Sequence, residues 1–435
     1  MNEPDAPSPL HDLATWAPLL NAARRDGPVT LTGRVQHHLG RALATVRGVD
    51  DPSVLETRFL EAEVPAADEI LLEARIDAAG HAELDVIEHG PAFRDFTDSW
   101  PSRLFLLLVD GAEAEPRRRT PAPAAVGPAP GADPELLERT LRERLGELSG
   151  DLPGGVDEAR LAAAEARLGI ALPAELRTLM GLLDHLVEEP WDTGRQVDGI
   201  VGCELFGLDG LFLATTDRRP GPWPFSAATE IGAPTGTAVQ GLVGSPGWIG
   251  FGTNGGDIYA VDLTPGPGGH LGQVILLSHE LEIGADLVAD SLTDFVLGRH
   301  REELRAPGDG PPQSARAADR SELDLAARPE LQVLHLQGPQ LPLGALRDLP
   351  GLRTLTAVGG ALADPTELRH LAALEYLELD AAQWRTLLDA DALPPGLLAA
   401  SVRAGEQDRA VARDLLARYG RPQPRRSRIT GRLAR

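Results

Sequence analysis

Gly250, Gly252 and Gly255, in the run Trp248 to Asp257, match G-x-G-x-x-G, the spacing with which backbone N–H groups cradle a pyrophosphate. That chemistry requires a helix to follow, so that its first N–H groups meet the phosphate. Ile258, Tyr259, Ala260 and Val261 follow instead, so the run predicts a second strand, and the whole reads as a hairpin with Asn254-Gly255 at its turn. Asp257 and Asp262 could hold a cation, although capping of the hairpin backbone is the stronger reading of Asp257. Gly244-Ser245-Pro246-Gly247 is not a nucleophile elbow, because Pro246 lacks the N–H that an oxyanion hole would use. Cys203 has no partner signature and reads as core, and His270 and His279 are too isolated to suggest a metal. No catalytic residue, cofactor or metal site is expected.

Composition narrows the chemistry further. The 435 residues carry 41 basic side chains, all of them arginine, against 65 acidic ones, a formal charge of −24. Without lysine there is no P-loop grip on phosphate, no kinase strand lysine and no Schiff base. A single cysteine excludes an internal disulfide and a multi-cysteine zinc site, and fits a reducing cytosol. The N-terminus has no basic leader, and Leu104 to Val109 is too short to span a bilayer, so a cytoplasmic protein is expected. From Arg413 onward there are eight arginines and one acid, Asp414. This tail reads as a solvated end rather than a binding arm.

Two proline-rich breaks divide the elements that must position these residues. Residues 1–115 predict a small α+β domain of unknown role: a helix over Leu13 to Ala23, a strand from Val29 to Val35, a hairpin about Asp77 to Gly80 and a buried strand from Arg103 to Val109. Its His37-His38, Glu88-His89, Asp95 and Asp98 read as scattered polar groups. Residues 116–133 read as a Pro/Ala-rich linker and 306–318 as a Pro/Gly linker. Between them, 134–305 predicts a helix over Glu135 to Leu148, then two helices divided at Gly169 and Pro173, the hairpin, a strand at Gln273 to Leu277 and a closing helix from Ala285 to Leu297.

Residues 319–419 contain a repeat. Leu331-x-x-Leu334-x-Leu336, Leu352-x-x-Leu355-x-Ala357, Leu374-x-x-Leu377-x-Leu379 and Leu397-x-x-Ala400-x-Val402 start 21, 22 and 23 residues apart. This spacing predicts a short leucine-rich-repeat solenoid capped by a helix over Gln407 to Tyr419. The usual asparagine is missing, with Pro339, Gly360 and Ala382 near its place. Residues 420–435 form the basic tail.

Val156 to Leu176, with Leu161, Ala164, Leu168, Leu172 and Leu176 in step around Gly169 and Pro173, resembles the opening helices of the SUKH superfamily. That group includes a fungal regulator of cell-wall assembly and bacterial toxin-immunity proteins. The Gly250–Leu263 hairpin, Gly272-Gln273-Val274-Ile275-Leu276 with His279-Glu280, and Val288 to Phe295 resemble the remainder in order. After Met180 the chain departs from the family, with a longer stretch holding Trp191 and Cys203. The resemblance implies an α+β fold, a SUKH-like mixed helix/antiparallel-sheet domain that binds protein without catalysis.

The expected function is therefore a non-enzymatic, immunity-type protein that neutralises a toxin by direct contact; a cytoplasmic regulatory scaffold binding through the repeats is the alternative. An acidic body suits a basic toxin domain and makes nucleic acid an unlikely partner. The candidate contacts are Trp223, Phe225, Trp248, Asn254, Asp257, Tyr259 and Asp262, with Trp191 as a further aromatic; core packing is the competing reading for Trp248 and Tyr259. Trp223, between Pro222 and Pro224, is expected to be exposed.

Overall fold

The computed structural model describes residues 12–24, 27–38, 41–48, 54–60, 70–95, 103–123, 126–147, 154–184, 199–219, 221–230, 237–281, 283–301, 313–338, 340–403 and 409–433. Trp191, Asp98, Pro339 and most of the 306–318 segment lie outside the described residues. Three sheets organise the rest.

The first begins with β1 (Val29–His38), β2 (Arg41–Gly48), β3 (Val54–Leu60), β4 (Ile70–Ile76) and β5 (His81–Glu88), all antiparallel. Asp77 accepts from the His81 N–H at 2.8 Å, and Gly80, at φ 81°, closes the β4–β5 turn as the sequence predicts. The Leu13–Ala23 helix, capped by Asp12, lays Trp16, Leu19 and Leu20 on one face of this sheet, against Leu72, Ala74 and Leu84. Two further strands, β6 (Phe93–Asp95) and β7 (Arg103–Leu107), leave for another sheet.

The second sheet contains β8 (Glu204–Leu205), β9 (Phe212–Leu213), β10 (Trp248–Thr253), β11 (Ile258–Asp262), β12 (Gln273–Leu277) and β13 (Asp286–Ala289), again antiparallel. Beside it the Glu158–Leu168 helix ends at Gly169, φ 71°, and Pro173 starts the Ala174–Leu182 helix. Leu161, Leu176 and Leu179 join Leu137 and Leu141 of the Pro134–Gly146 helix in one core with Phe251 and Phe295. The buried Glu175 accepts from the Thr293 N–H at 2.9 Å, fastening these helices to the sheet's last helix, Leu292–Val296. The expected closing helix over 285–297 is instead β13 and this short helix. Val288 and Ala289 are buried in a strand paired to β12, and Ser291 caps the helix by accepting from the Asp294 N–H at 3.0 Å.

In the third sheet β14 (Ser314–Ala317), β15 (Val333–Leu336), β16 (Thr354–Ala357), β17 (Tyr376–Asp380) and β18 (Ala399–Arg403) run parallel. Leu334, Leu355, Leu377 and Ala400 stand side by side in register and bury in one core. The missing asparagine is replaced locally by backbone bonds such as Leu341 N–H to Ala361 C=O at 2.7 Å, and by Asp380, which accepts from the Gly360 N–H at 3.0 Å. The Ala381–Asp389 and Arg409–Arg418 helices cover the sheet's apolar side through Trp384, Leu387, Leu415 and Leu416.

Four observations differ from the expected division of the chain. β7 is not a strand of the first sheet: it pairs antiparallel with β18 and buries Leu104 and Leu106 among the repeat leucines. Ser314–Ala317, within the expected second linker, is β14. The expected first linker packs on the second sheet's domain, where Pro128 bridges Leu271 and Arg117 donates to the Thr216 and Arg219 carbonyls at 2.9 and 3.0 Å. The basic tail is β19 (Arg425–Arg432), which completes the first sheet against β5. Its arginines have a reason to be there: Asp85 stands directly opposite Glu73, a like-charge cross-strand pair that is unfavourable alone. Arg426 and Arg428 reach Asp85 at 2.7 and 2.9 Å, and Arg409 pairs with Glu73. Burial pushes the Asp85 carboxyl up, but these two guanidinium groups hold it below the usual range.

The middle domain is clamped to the third sheet. Arg353, 7% exposed, donates to the Ala227 carbonyl at 2.7 Å and to the Thr229 carbonyl, where the Trp223–Ala228 helix ends. Thr354 adds a 2.6 Å bond to Ala227, and Arg118 meets Glu375 at 2.6 Å. Among the described residues no helix is long and apolar enough to cross a membrane.

Candidate functional site

The glycine motif is explained by close packing. A Cβ on Gly250 would lie 2.8 Å from the Phe212 ring, and one on Gly252 would lie 2.6 Å from the Cys203 sulfur and 2.8 Å from the Glu204 carbonyl oxygen. Phe212 sits on β9, and Cys203 and Glu204 sit before and at the start of β8; both short strands pair antiparallel with β10, and the β10–β11 register shifts at Phe251, between these two glycines. Gly255, at φ 99°, turns the chain. The loop then closes on itself. Thr253 Oγ1 accepts from the Gly255 N–H at 3.0 Å, and Asn254 Oδ1 accepts from Gly256 and Asp257 at 3.1 and 2.8 Å. With these N–H groups spent on side chains, no nest remains for a phosphate.

Asn254, not Asp257, therefore caps the hairpin. Asp257 reaches the next turn: its Oδ1 accepts from the His279 backbone N–H at 2.9 Å and pairs with the ring Nδ1 at 2.7 Å. The backbone bond from His279, then the ring bond, holds the Asp257 carboxyl below its usual range. Asp257, and then Glu280 at 3.1 Å, raise the imidazole above its ordinary value.

Beside this pair lies a groove of about 410 Å³. Phe212, Phe225, Ile258, Leu277 and Leu281 supply apolar walls, and Arg218, His279 and Glu280 a polar rim. Arg219 secures its base by donating to the carbonyls of Val243 at 2.7 Å, Ser278 at 3.2 Å and Leu281 at 2.7 Å. Phe225, at 60% exposure, is the large aromatic left uncovered on the wall.

Of the expected contact residues, Phe225 lines this groove, Asp257 is tied to it through His279 on the rim, and Asn254 stands at the exposed hairpin tip. The others lie elsewhere. Trp248 is fully buried, in a core with Ala260 and Ile275. Asp262 is fully buried too; it accepts from Thr264 N–H at 2.7 Å and Gln273 Nε2 at 2.9 Å. Burial raises its carboxyl to about 6 against these bonds and against the Trp248 indole N–H, which nears it without a well-formed hydrogen bond. Tyr259 is half-buried against Phe295, ring centres 5.1 Å apart, and its hydroxyl is pushed up by burial, then by Cys203 and Asp257. Trp223 is not exposed as expected. It leans on Tyr376 and Phe105 at 5.8 and 6.1 Å and donates to the Ala112 carbonyl at 3.0 Å, so it fastens the domain to the third sheet. Phe212, Ile258 and His279 were not foreseen as groove residues; Ile258 in the predicted strand, alternating with Tyr259, was the available signal. Among the described residues no three His, Cys, Asp or Glu side chains converge on a metal position.

Residues 155–298 match the SMI1 / KNR4 family (SUKH-1). The chain is 29% identical over 178 residues to the cell wall biosynthesis/cell cycle regulator smi1 of Schizosaccharomyces pombe, covering 37% of this chain. It spans about a third, 33%, of that relative's length.

Proposed function

We propose, from the premise that residues 155–298 form a SMI1/KNR4 (SUKH-1) domain, that this protein is a non-enzymatic binding protein whose groove beside Phe225 receives an apolar side chain of a protein partner. The supporting observation is Phe225 itself: a 60% exposed ring beside a concave apolar wall, with an acid, an imidazole and a guanidinium on the rim, is the composition of an interface hot spot. In the immunity reading the partner is a basic toxin domain, drawn by a body of formal charge −24. The regulatory reading is favoured by the name of the fission-yeast relative, a cell-wall and cell-cycle regulator.

Affinity purification from the native host with wild type and F225A tests the groove. A partner is expected on wild type and should be lost from F225A, at a cost of about 2 kcal/mol in affinity. Equal retention by both proteins defeats the reading. A basic toxin among the captured proteins selects immunity. We read the parallel coils as leucine-rich-repeat-like, and binding through them is tested by R316E on the exposed part of β14. Deleting 319–435 is unsuitable, since that segment supplies Arg353 and β19.

A further inference from the structure

A second cavity, of about 540 Å³, lies between the side of the first sheet opposite the Leu13–Ala23 helix and the Arg409–Arg418 helix. It is independent of the groove described above. Its apolar lining includes Ile87, Phe93, Leu416 and Pro424, and its polar lining is dominated by five arginines, Arg75, Arg409, Arg413, Arg426 and Arg428. Three carboxylates are present, and each is already engaged: Asp85 by Arg426 and Arg428, Glu83 by Arg428 at 2.7 Å, and Glu73 by Arg409. Arg75 faces Glu83 in the β4–β5 register but forms no ion pair with it, and Arg413 forms none among the described residues. Among the described residues, therefore, two guanidinium groups are surplus, on opposite walls of one cleft in a molecule of formal charge −24. Burial, and then the nearby Arg426, depress the Arg409 guanidinium, so cations are crowded here in a way that an anion would relieve.

Guanidinium forks match the oxygens of a phosphate in pairs, and the volume falls in the range of small-ligand sites. The apolar walls suit a ligand with an organic body. We propose that this cleft binds a small phosphate-bearing metabolite of nucleotide size, with Arg75 and Arg413 as its phosphate ligands and Ile87, Phe93 and Leu416 against its body.

Isothermal titration of the full chain with ADP and with inorganic pyrophosphate, at physiological ionic strength, tests this. Saturable binding of ADP is expected, and R75A and R413A should each weaken it about tenfold, or about 1.4 kcal/mol. Both side chains are exposed, so neither substitution threatens folding. R418A, an exposed arginine on the same helix that does not line the cleft, should leave binding unchanged. ADP binding without pyrophosphate binding supports a requirement for the organic body; comparable binding of both supports recognition of phosphate alone. Absence of saturable binding of either probe overturns the proposal. So does undiminished binding by the R75A/R413A double variant, an equal loss in R418A, or displacement by polyglutamate as effective as by ADP, which would mark a site for acidic polypeptide.

Discussion

Asp257 and His279, on turns at the same end of the second sheet, are joined twice: one carboxylate oxygen meets the histidine's backbone N–H at 2.9 Å and its ring Nδ1 at 2.7 Å. The two turns that frame the groove are thereby held as one rim.

This pair makes the rim sensitive to pH. The folded pKa of His279 is raised above 6.5, so its contribution is complete below 6.5 and fades as pH rises through the folded value. That of Asp257 is lowered below 3.8, so its contribution is present above 3.8 and fades as pH falls through the folded value. The pair is strongest between these limits. In an NMR titration of the imidazole, D257N should return His279 toward 6.5; an unaltered midpoint would contradict the pairing. Because the ring is 60% exposed, the effect should weaken in high salt.

Asp262 behaves in the opposite sense. Its folded pKa is about 6 against 3.8 unfolded, so between those values the folded state holds the extra proton and stability falls as pH rises. The shift corresponds to a loss on the order of 2–3 kcal/mol across the window, flat above it. D262N should remove this slope from chemical denaturation measured at stepped pH. A wild-type slope that survives in D262N would place its origin elsewhere.

Gly252→Ala should cost about 1–3 kcal/mol, since its Cβ meets the Cys203 sulfur at 2.6 Å and a carbonyl oxygen at 2.8 Å. Adding Cys203→Ala should recover part of that loss, because one of the two obstructions is then gone. A denaturant melt showing no cost for the single variant would refute the close-packing account of the motif.

Arg353→Ala removes the guanidinium that donates to the Ala227 and Thr229 carbonyls. Ala227 keeps its bond from Thr354, while Thr229 loses a charged donor, so the domain contact should weaken by about 2–3 kcal/mol. Calorimetry should then resolve the middle domain and the third sheet as separate transitions, where wild type melts them together.

Much of the middle domain was legible in sequence because its punctuation is local. Gly169 and Pro173 divide two helices within a few residues, and Asn254-Gly255 marks its own turn. Arg103 to Leu107 and Arg425 to Arg432 were different. The first is an apolar run that would suit any sheet, and the second alternates exposed arginines with half-buried Ser427, Ile429 and Gly431, a strand pattern hidden by its charge. Their partners, β18 and β5, lie far off along the chain, and no local rule selects them. The groove was only partly legible for the same reason: Phe212, Phe225, Ile258 and Leu277 come from four separate elements. Trp223 was misplaced because flanking prolines report on backbone shape, whereas its burial depends on Tyr376.

The pairing of β5 with β19 bears on how the protein is made. Arg426 and Asp85 are 341 residues apart, so on the ribosome β5 keeps an open edge, and Asp85 lacks its arginine partners, until β19 has been made. The first sheet is thus completed only by a segment made long after β5, a closure over a very long loop that leaves the β5 edge open to wrong strand pairing in the interval.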